Sequence, residues 1–318
     1  MAIQTRMGKA FEYACLNSIN LELSMQQEVV IEDNSSLNVA RDFYNSASKE
    51  TKEKMDLAAN AAIRVILRLE PQLQNPLDNS PLYLSIQEDS AGISGDVRDV
   101  LCIRKQNQWE VGLSCKHNHS AVKHSRLSPN INFGQVWFGI PCSPQYFEEI
   151  NSMFEELRIL KSKGVFWREV ENKEERFYIP LLKAFMKELR RLDVENPGQI
   201  PGKLLSYLLG VNDFYKVITN DKREVTQVQA YSLYGTLNRV AGKIKPQVRI
   251  PQLGMPKRFF DIDFKPSSRN TIHVVCDGGW TISMRIHNAS SKVEPSLKFD
   301  VNLIGVPPTL YTHHESWR

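Results

Sequence analysis

Cysteine is scarce in this chain, and no two of its cysteines have the spacing of metal ligands. The residues are odd in number and widely scattered: Cys15, Cys102, Cys115, Cys142 and Cys276. Neither a disulfide framework nor a zinc site is therefore expected. Most of them lie in or beside apolar runs, so we expect buried free thiols in a reducing, cytoplasmic protein.

Hydrophobic segments of the kind that direct a protein to a membrane are also missing. The N-terminus has no apolar signal region, and no apolar run is long enough to span a bilayer. No internal repeat or low-complexity segment is visible. The chain has 318 residues, 42% of them hydrophobic, so it can bury a sizeable core in one large or two moderate domains.

A large excess of one charge is likewise absent. The 40 basic and 36 acidic side chains give a formal net charge of only +4. This balance neither requires nor excludes nucleic acid as a partner. A DNA-binding protein of this charge would have to cluster its basic groups on one face.

The spacing of apolar residues predicts helices and strands in an α+β or mixed α/β order. Helices are expected over residues 8–19 and 49–69, and a first strand over 82–86. Residues 136–140 indicate a further buried strand. In the last third, Pro and Gly separate four short strands over 259–264, 271–276, 280–287 and 296–304, and Asp277-Gly278-Gly279 indicates a hairpin. A break near residue 198 divides the chain into regions 1–197 and 198–318, unless the two form one continuous domain.

Two apolar runs, 99–103 and 109–116, carry the chemistry. The polar residues between them predict a β-hairpin, which would bring Asp99 at the start of one strand near Lys116 at the end of the next. A carboxylate that can hold a hard divalent cation, beside an ammonium group, suits metal-assisted hydrolysis of a phosphodiester. Glu110 lies on the same face as Lys116 but roughly 20 Å away at 3.3 Å per residue, which is too far to share a metal.

The second acid of such a site must therefore come from elsewhere. Ser114 is correctly placed but is not a carboxylate. Glu12 on the first helix and Asp96, just before the first strand of the hairpin, are the candidates. The backbone carbonyl of Cys115 is a further possible metal ligand.

The hairpin resembles the PD-(D/E)xK nuclease core, in which a first-strand Asp and an acid-x-Lys on the next strand surround the metal. That resemblance implies a small mixed β-sheet flanked by helices, with a helical Glu near the metal, the position that Glu12 occupies. The C-terminal antiparallel segment would be an addition to this core. Two residues depart from the pattern, since Arg98 replaces the Pro and Ser114 replaces the acid.

Several blocks together resemble the HaeIII family of type II restriction endonucleases. These blocks are 95–100, 114–119, 121–128, 279–289 and 296–300. The resemblance implies Mg²⁺-dependent hydrolysis of double-stranded DNA at GGCC, with Asp99, Lys116 and Glu12 at the catalytic centre. A palindromic site also favours a symmetric homodimer on DNA.

Two sets of polar and charged residues are expected to contact the DNA. Lys123, His124 and Arg126 follow the proposed catalytic strand and suit phosphate contacts. A β-ribbon of the last third carries residues able to read base edges in the major groove: Arg285, His287, Asn288, Lys298 and Asp300.

Two alternatives stay open. Ser114 also fits a DNA-binding protein that has lost cleavage, and the same core occurs in nucleases that select structured DNA or RNA. The contiguous His117-Asn118-His119 does not predict an HNH nuclease site, because adjacent residues of a strand point to opposite faces.

Overall fold

The computed structural model describes residues 3–74, 80–88 and 95–318. Helices and strands are numbered in chain order. The helices are α1 Ile3–Leu23, α2 Ser35–Ser46, α3 Lys49–Leu69, α4 Pro71–Gln74, α5 Phe133–Phe138, α6 Pro144–Ser162, α7 Ile179–Glu195 and α8 Ile200–Leu209. The strands are β1 Val29–Ile31, β2 Leu82–Ile86, β3 Val100–Arg104, β4 Trp109–His117, β5 Lys123–Leu127, β6 Phe214–Asn220, β7 Val225–Tyr231, β8 Phe259–Phe264, β9 Thr271–Cys276, β10 Thr281–Asn288, β11 Leu297–Gly305 and β12 Tyr311–Ser316.

Local sequence explains where the main helices begin. Asn34 caps α2 by accepting a hydrogen bond from the backbone of Leu37, and Ser48 caps α3 in the same way. Ser143 caps α6, whose first turn contains Pro144. None of the helices within the described residues is long and apolar enough to cross a membrane.

The chain forms two compact units, each built from separate segments. The first comprises residues 1–120, 210–253 and 309–318, and the second comprises residues 121–209 and 254–308. The expected division at 197/198 therefore needs correction, because it falls inside the second unit. The cause is strand pairing: β6, β7 and β12 come late in the chain but complete the sheet that begins with β1 to β4.

The first unit contains a seven-stranded mixed sheet in the order β1-β2-β3-β4-β6-β7-β12. β4 pairs parallel with β6, while β3 and β4 form the antiparallel hairpin expected from the sequence. Helices α1 and α3 pack against this sheet. Phe11, Cys15 and Ile19 form one stripe on α1 and are buried in that core, which fixes the rotation of the helix.

The second unit contains a five-stranded antiparallel sheet in the order β5-β11-β10-β9-β8. Its four later strands lie where the sequence predicted them, with Asp277–Gly279 forming the turn between β9 and β10. The strand predicted over 136–140 is wrong, because Phe133–Phe138 is a helix. Asn132 caps it, and Gly139 ends it in the left-handed region at φ 70°.

Candidate active site

The β3–β4 hairpin brings Asp99 and Lys116 together, as its sequence predicts. Val100 pairs with Leu113, and the Asp99 N–H donates to the Leu113 carbonyl at 2.7 Å, so β4 also holds the backbone of the residue that precedes β3. Lys116 Nζ then lies 3.2 Å from Asp99 Oδ2.

The Asp99 carboxylate is held in place by β4. Its Oδ2 accepts hydrogen bonds from the Cys115 N–H at 2.6 Å and from Ser114 Oγ at 3.4 Å. Ser114, which stands where the motif has an acid, is thus a donor to Asp99. Hydrogen bonding with Cys15 and burial raise the pKa of the Cys115 thiol, so that side chain stays protonated against α1.

Glu12 lies on α1 with only 6% of its surface exposed. Burial, with the nearby Asp99 carboxylate adding to it, raises its pKa to about 8. Lys9 Nζ is 3.2 Å from Glu12 Oε2, yet that oxygen makes no hydrogen bond within the described part of the chain. A buried carboxylate oxygen with spare acceptor capacity, beside a second carboxylate, is a strong cation-binding feature.

Lys116 is a permanent cation in this setting. Burial alone would lower its pKa, but the carboxylates of Asp99 and Glu12 outweigh that effect, and the pKa is raised above its usual value. The side chain therefore carries an ammonium group at neutral pH.

Asp96 and Glu110 are both engaged by Arg98 instead of lying with Asp99. Asp96 accepts from Nε and Nη2 of Arg98, and Glu110 accepts from Nη1 at 2.7 Å. Gly112 makes room for Arg98, since a Cβ on Gly112 would lie 2.2 Å from Arg98 Cδ. Of the two candidate acids, the structure places Glu12 near Asp99 and Asp96 in the ion pair with Arg98.

Lys216 lies near Lys116, in a segment, 213–216, whose sequence does not decide between DNA contact and local packing. It pairs with Ser114 across β6 and β4, is 3% exposed, and donates from Nζ to the Ser120 carbonyl at 2.5 Å. Burial and the charge of Lys116 lower its pKa to about 7. A single Lys among the apolar residues 214–218 of the Phe214–Asn220 strand is the sequence signal that marks it.

The donor set fits a hard cation that keeps several waters. Asp99 and Glu12 supply oxygens of the type that Mg²⁺ prefers, and one or two carboxylates are its usual protein ligands. Within the described ranges there is no group of three or more His, Cys, Asp or Glu arranged around a metal position. Backbone carbonyls and water would therefore have to complete the coordination shell.

Most of the predicted DNA contacts share one face of the sheet in the second unit. Arg126 pairs with Lys298, which pairs with His287, and Asp300 pairs with Arg285. Directly paired residues of antiparallel strands point to the same face. Arg285 and Asp300 form an ion pair of 3.2 Å, with 54% of the Arg285 side chain exposed.

Two further predicted contacts point elsewhere. Lys123 pairs with Val301, so it lies on the opposite face, where Nζ donates to the Tyr207 carbonyl at 2.9 Å and stacks over the Tyr207 ring. Asn288 follows His287 on the same strand, so its side chain points to the opposite face. Its side-chain amide donates to the Ser290 carbonyl. The side chain of His124 lies outside the described part of the structure.

Comparison with known proteins gives a full-length similarity. The model of the HaeIII restriction endonuclease family matches residues 8–307. The chain is 44% identical to the type II restriction enzyme HaeIII of Haemophilus aegyptius over 310 residues, which is 98% of this chain and 97% of that enzyme. At this identity the two are relatives with distinct sequences. No solved structure matches the chain.

Proposed function

Because this chain belongs to the HaeIII restriction endonuclease family and is a type II site-specific deoxyribonuclease, we propose that it cuts double-stranded DNA at GGCC with Mg²⁺ as cofactor. The observation that carries the chemistry is the meeting of Asp99, Lys116 and buried Glu12 at one end of a β-hairpin. The GGCC target is proposed from the family resemblance, and Mg²⁺ is proposed from the oxygen ligands.

Asp99 and Glu12 would hold the metal, together with the Cys115 carbonyl. The N–H and C=O of one strand residue point to the same side, and the Cys115 N–H already points at Asp99. The carbonyl of Cys115 therefore faces the side on which β3 has ended. When bound there, a divalent cation polarises the scissile phosphate and helps to ionise a water molecule.

Lys116 acts as a cation in this proposal and not as a general base. Its raised pKa keeps the ammonium protonated, so it can donate to a phosphate oxygen or hold the attacking water through that water's oxygen. The hydrogen bonds from Ser114 and Cys115 keep Asp99 oriented without using a second acid on β4.

The polar face of the five-stranded sheet would read the sequence. Its members are Arg126, Arg285, His287, Lys298 and Asp300. An exposed ion pair contributes at most about 1 kcal/mol, so Arg285 can leave Asp300 at little cost and bind the O6 and N7 atoms of guanine. The Asp300 carboxylate would accept from a cytosine amino group.

The palindromic target favours a homodimer on DNA, with one catalytic centre per strand. Analytical ultracentrifugation with and without cognate duplex tests this assembly. Two copies per duplex are expected, and a single copy that cuts both strands would contradict the dimer.

Digestion of linear duplexes tests the main proposal. One duplex contains a single GGCC and the other differs only at that site; both are incubated with Mg²⁺ or with EDTA, and the fragment ends are sequenced. Cutting at GGCC in Mg²⁺ alone is expected. Tight binding without cutting would favour a DNA-binding protein that has lost cleavage, and cutting only at junctions would favour a structure-selective nuclease.

Variants of the hairpin assign the roles. Asp99→Ala and Lys116→Ala should abolish cutting while duplex binding persists. Lys105→Ala is the matched control, because Lys105 ends the same hairpin and pairs with Glu32 at 2.7 Å, but at the opposite end. Unchanged turnover in either site variant would refute its role.

A further inference from the structure

A groove of about 1000 Å³ opens in the first unit where β4 and β6 end. Its walls are the residues after β4, from Asn118 to Ser120, and the turn between β6 and β7, from Asn220 to Arg223, with His314 of β12 contributing to the lining. Asn118 follows Lys116 by two residues, roughly 7 Å along a strand. The groove therefore begins next to the proposed catalytic lysine.

The walls of this groove are held by specific hydrogen bonds. Asn118 is in the left-handed region at φ 58°, which Asn tolerates better than most residues. Its N–H donates to Thr219 Oγ1 at 3.2 Å, and its Oδ1 accepts from the Asp221 N–H at 3.0 Å. Lys216 holds the Ser120 carbonyl at 2.5 Å. The strand end and the turn are thus fixed to each other as one preformed surface.

The charge of the lining suits an anion. Lys222 and Arg223 are exposed, and neither forms an ion pair with another residue in the described part of the chain. The carboxylate of Asp221, the acid among the lining residues, lies 3.4 Å from His117 Nε2. Gln227 and Asn220 add neutral amide donors.

We infer that this groove holds the sugar–phosphate backbone of the cleaved strand beside the scissile phosphate, with Lys222 and Arg223 on its phosphates. The inference rests on the proposed function and extends it to residues that the sequence patterns did not indicate. An extended polyanion suits an open groove with exposed cations at its rim. Phosphate contacts of this kind set the register of the strand without reading its bases.

Salt-dependent duplex binding in EDTA tests the contact without turnover. The double variant Lys222→Ala/Arg223→Ala should lower the slope of log affinity against log salt by about two, roughly one for each phosphate contact. At about 0.1 M salt this corresponds to roughly a 100-fold weaker affinity, for cognate and non-cognate duplexes alike. Lys243→Ala/Lys245→Ala removes the same charge from exposed positions of the same unit outside the groove and should change neither quantity.

Single neutral methylphosphonates then locate the contact on the DNA. Replacing the phosphates around the cut one at a time should weaken wild-type binding at one or two positions. The Lys222→Ala/Arg223→Ala variant should be insensitive at those same positions, because the cations that they engage are gone.

Several outcomes would overturn the inference while leaving the proposed function intact. Each assumes that the wild type cuts at GGCC. The salt slope of the groove variant could equal that of the wild type, or the control variant could lose as much duplex affinity as the groove variant. A methylphosphonate could also weaken duplex binding equally in the wild type and the groove variant. A groove variant that binds as the wild type but no longer assembles in ultracentrifugation would assign the groove to contact between copies. A wild type that cuts no duplex would instead refute the proposed function itself.

Discussion

Replacing Glu12 with Gln should make the metal-free protein more stable at neutral pH, although the residue belongs to the proposed catalytic centre. Burial and Asp99 raise the pKa of Glu12 from 4.5 to about 8. The folded protein therefore keeps a proton on this group that the unfolded chain releases at neutral pH. Gln is a neutral side chain of similar shape, so the variant does not incur this cost.

The sign and size follow from linkage. A group whose pKa is raised on folding contributes its full stability below its unfolded pKa of 4.5, and that contribution declines as the pH rises through about 8. Between pH 4.5 and neutral pH, an interval of about 2.5 pH units, the free energy of unfolding falls by about 3 kcal/mol at 1.36 kcal/mol per unit. Above about pH 8 it reaches about 5 kcal/mol. The attraction of Lys9 is already contained in the raised pKa.

Denaturant unfolding in EDTA at about pH 4, about pH 7 and about pH 8.5 measures this difference. We expect the Glu12→Gln variant to match the wild type at the lowest pH and to exceed it by about 3 kcal/mol at neutral pH. Mg²⁺ should stabilise the wild type and not the variant, since the metal binds the ionised carboxylate. Glu22→Gln, on the same helix but exposed, is the control and should show no such pH dependence.

One result would refute this reasoning directly. If Glu12→Gln is less stable than the wild type in EDTA at neutral pH, Glu12 acts as a structural anion paired with Lys9, and its burial carries no penalty that a metal relieves. A stability difference that does not vary with pH would lead to the same conclusion.

Three further predictions concern positions other than the proposed catalytic residues Asp99, Lys116 and Glu12. Gly112→Ala should displace Arg98 from both of its carboxylates, with a loss of about 1–3 kcal/mol in unfolding free energy and slower cutting, measured by denaturation and by digestion rate. Arg285→Ala should reduce discrimination for the cognate duplex by about 1–3 kcal/mol in competition binding, whereas Arg158→Ala, which removes a partly exposed Arg of the same unit, should not. Asp213→Ala should cost about 3 kcal/mol or more in denaturation, because the buried carboxylate accepts backbone hydrogen bonds from Leu233, Tyr234 and Thr236 and the hydroxyl of Thr236.

Regular elements with strong local signals could be predicted from the sequence. The helix over 49–69 has a Ser cap and an apolar stripe, and the strands around Asp277-Gly278-Gly279 are delimited by their turn. The strand prediction for 136–140 is wrong, since an apolar and aromatic run has no period that separates a short helix from a buried strand. Its Asn132 cap and Gly139 end were the local signals for the helix.

Some features of the candidate site could likewise be predicted from the sequence, and others required the folded chain. The proximity of Asp99 and Lys116 follows from one hairpin, and its register depends on residues that are close in sequence. Choosing between Glu12 and Asp96 required tertiary structure, because α1 approaches the hairpin only through its buried stripe and Asp96 turns to Arg98. The direction of Lys123 likewise depends on the register of β5 with β11, which is far away in the sequence.

The sequence by itself determined the β3–β4 hairpin, the charged pair at its end and the buried face of α1, because each depends on local periodicity and turn chemistry. Only the tertiary structure decided that β6 lies parallel beside β4. That pairing places Lys216 next to Ser114 and forms the groove beyond Lys116. It also gives two units whose segments alternate along the sequence. Parallel pairing joins segments about a hundred residues apart and leaves no local pattern in the sequence, so its consequences for the site become visible only in the folded chain.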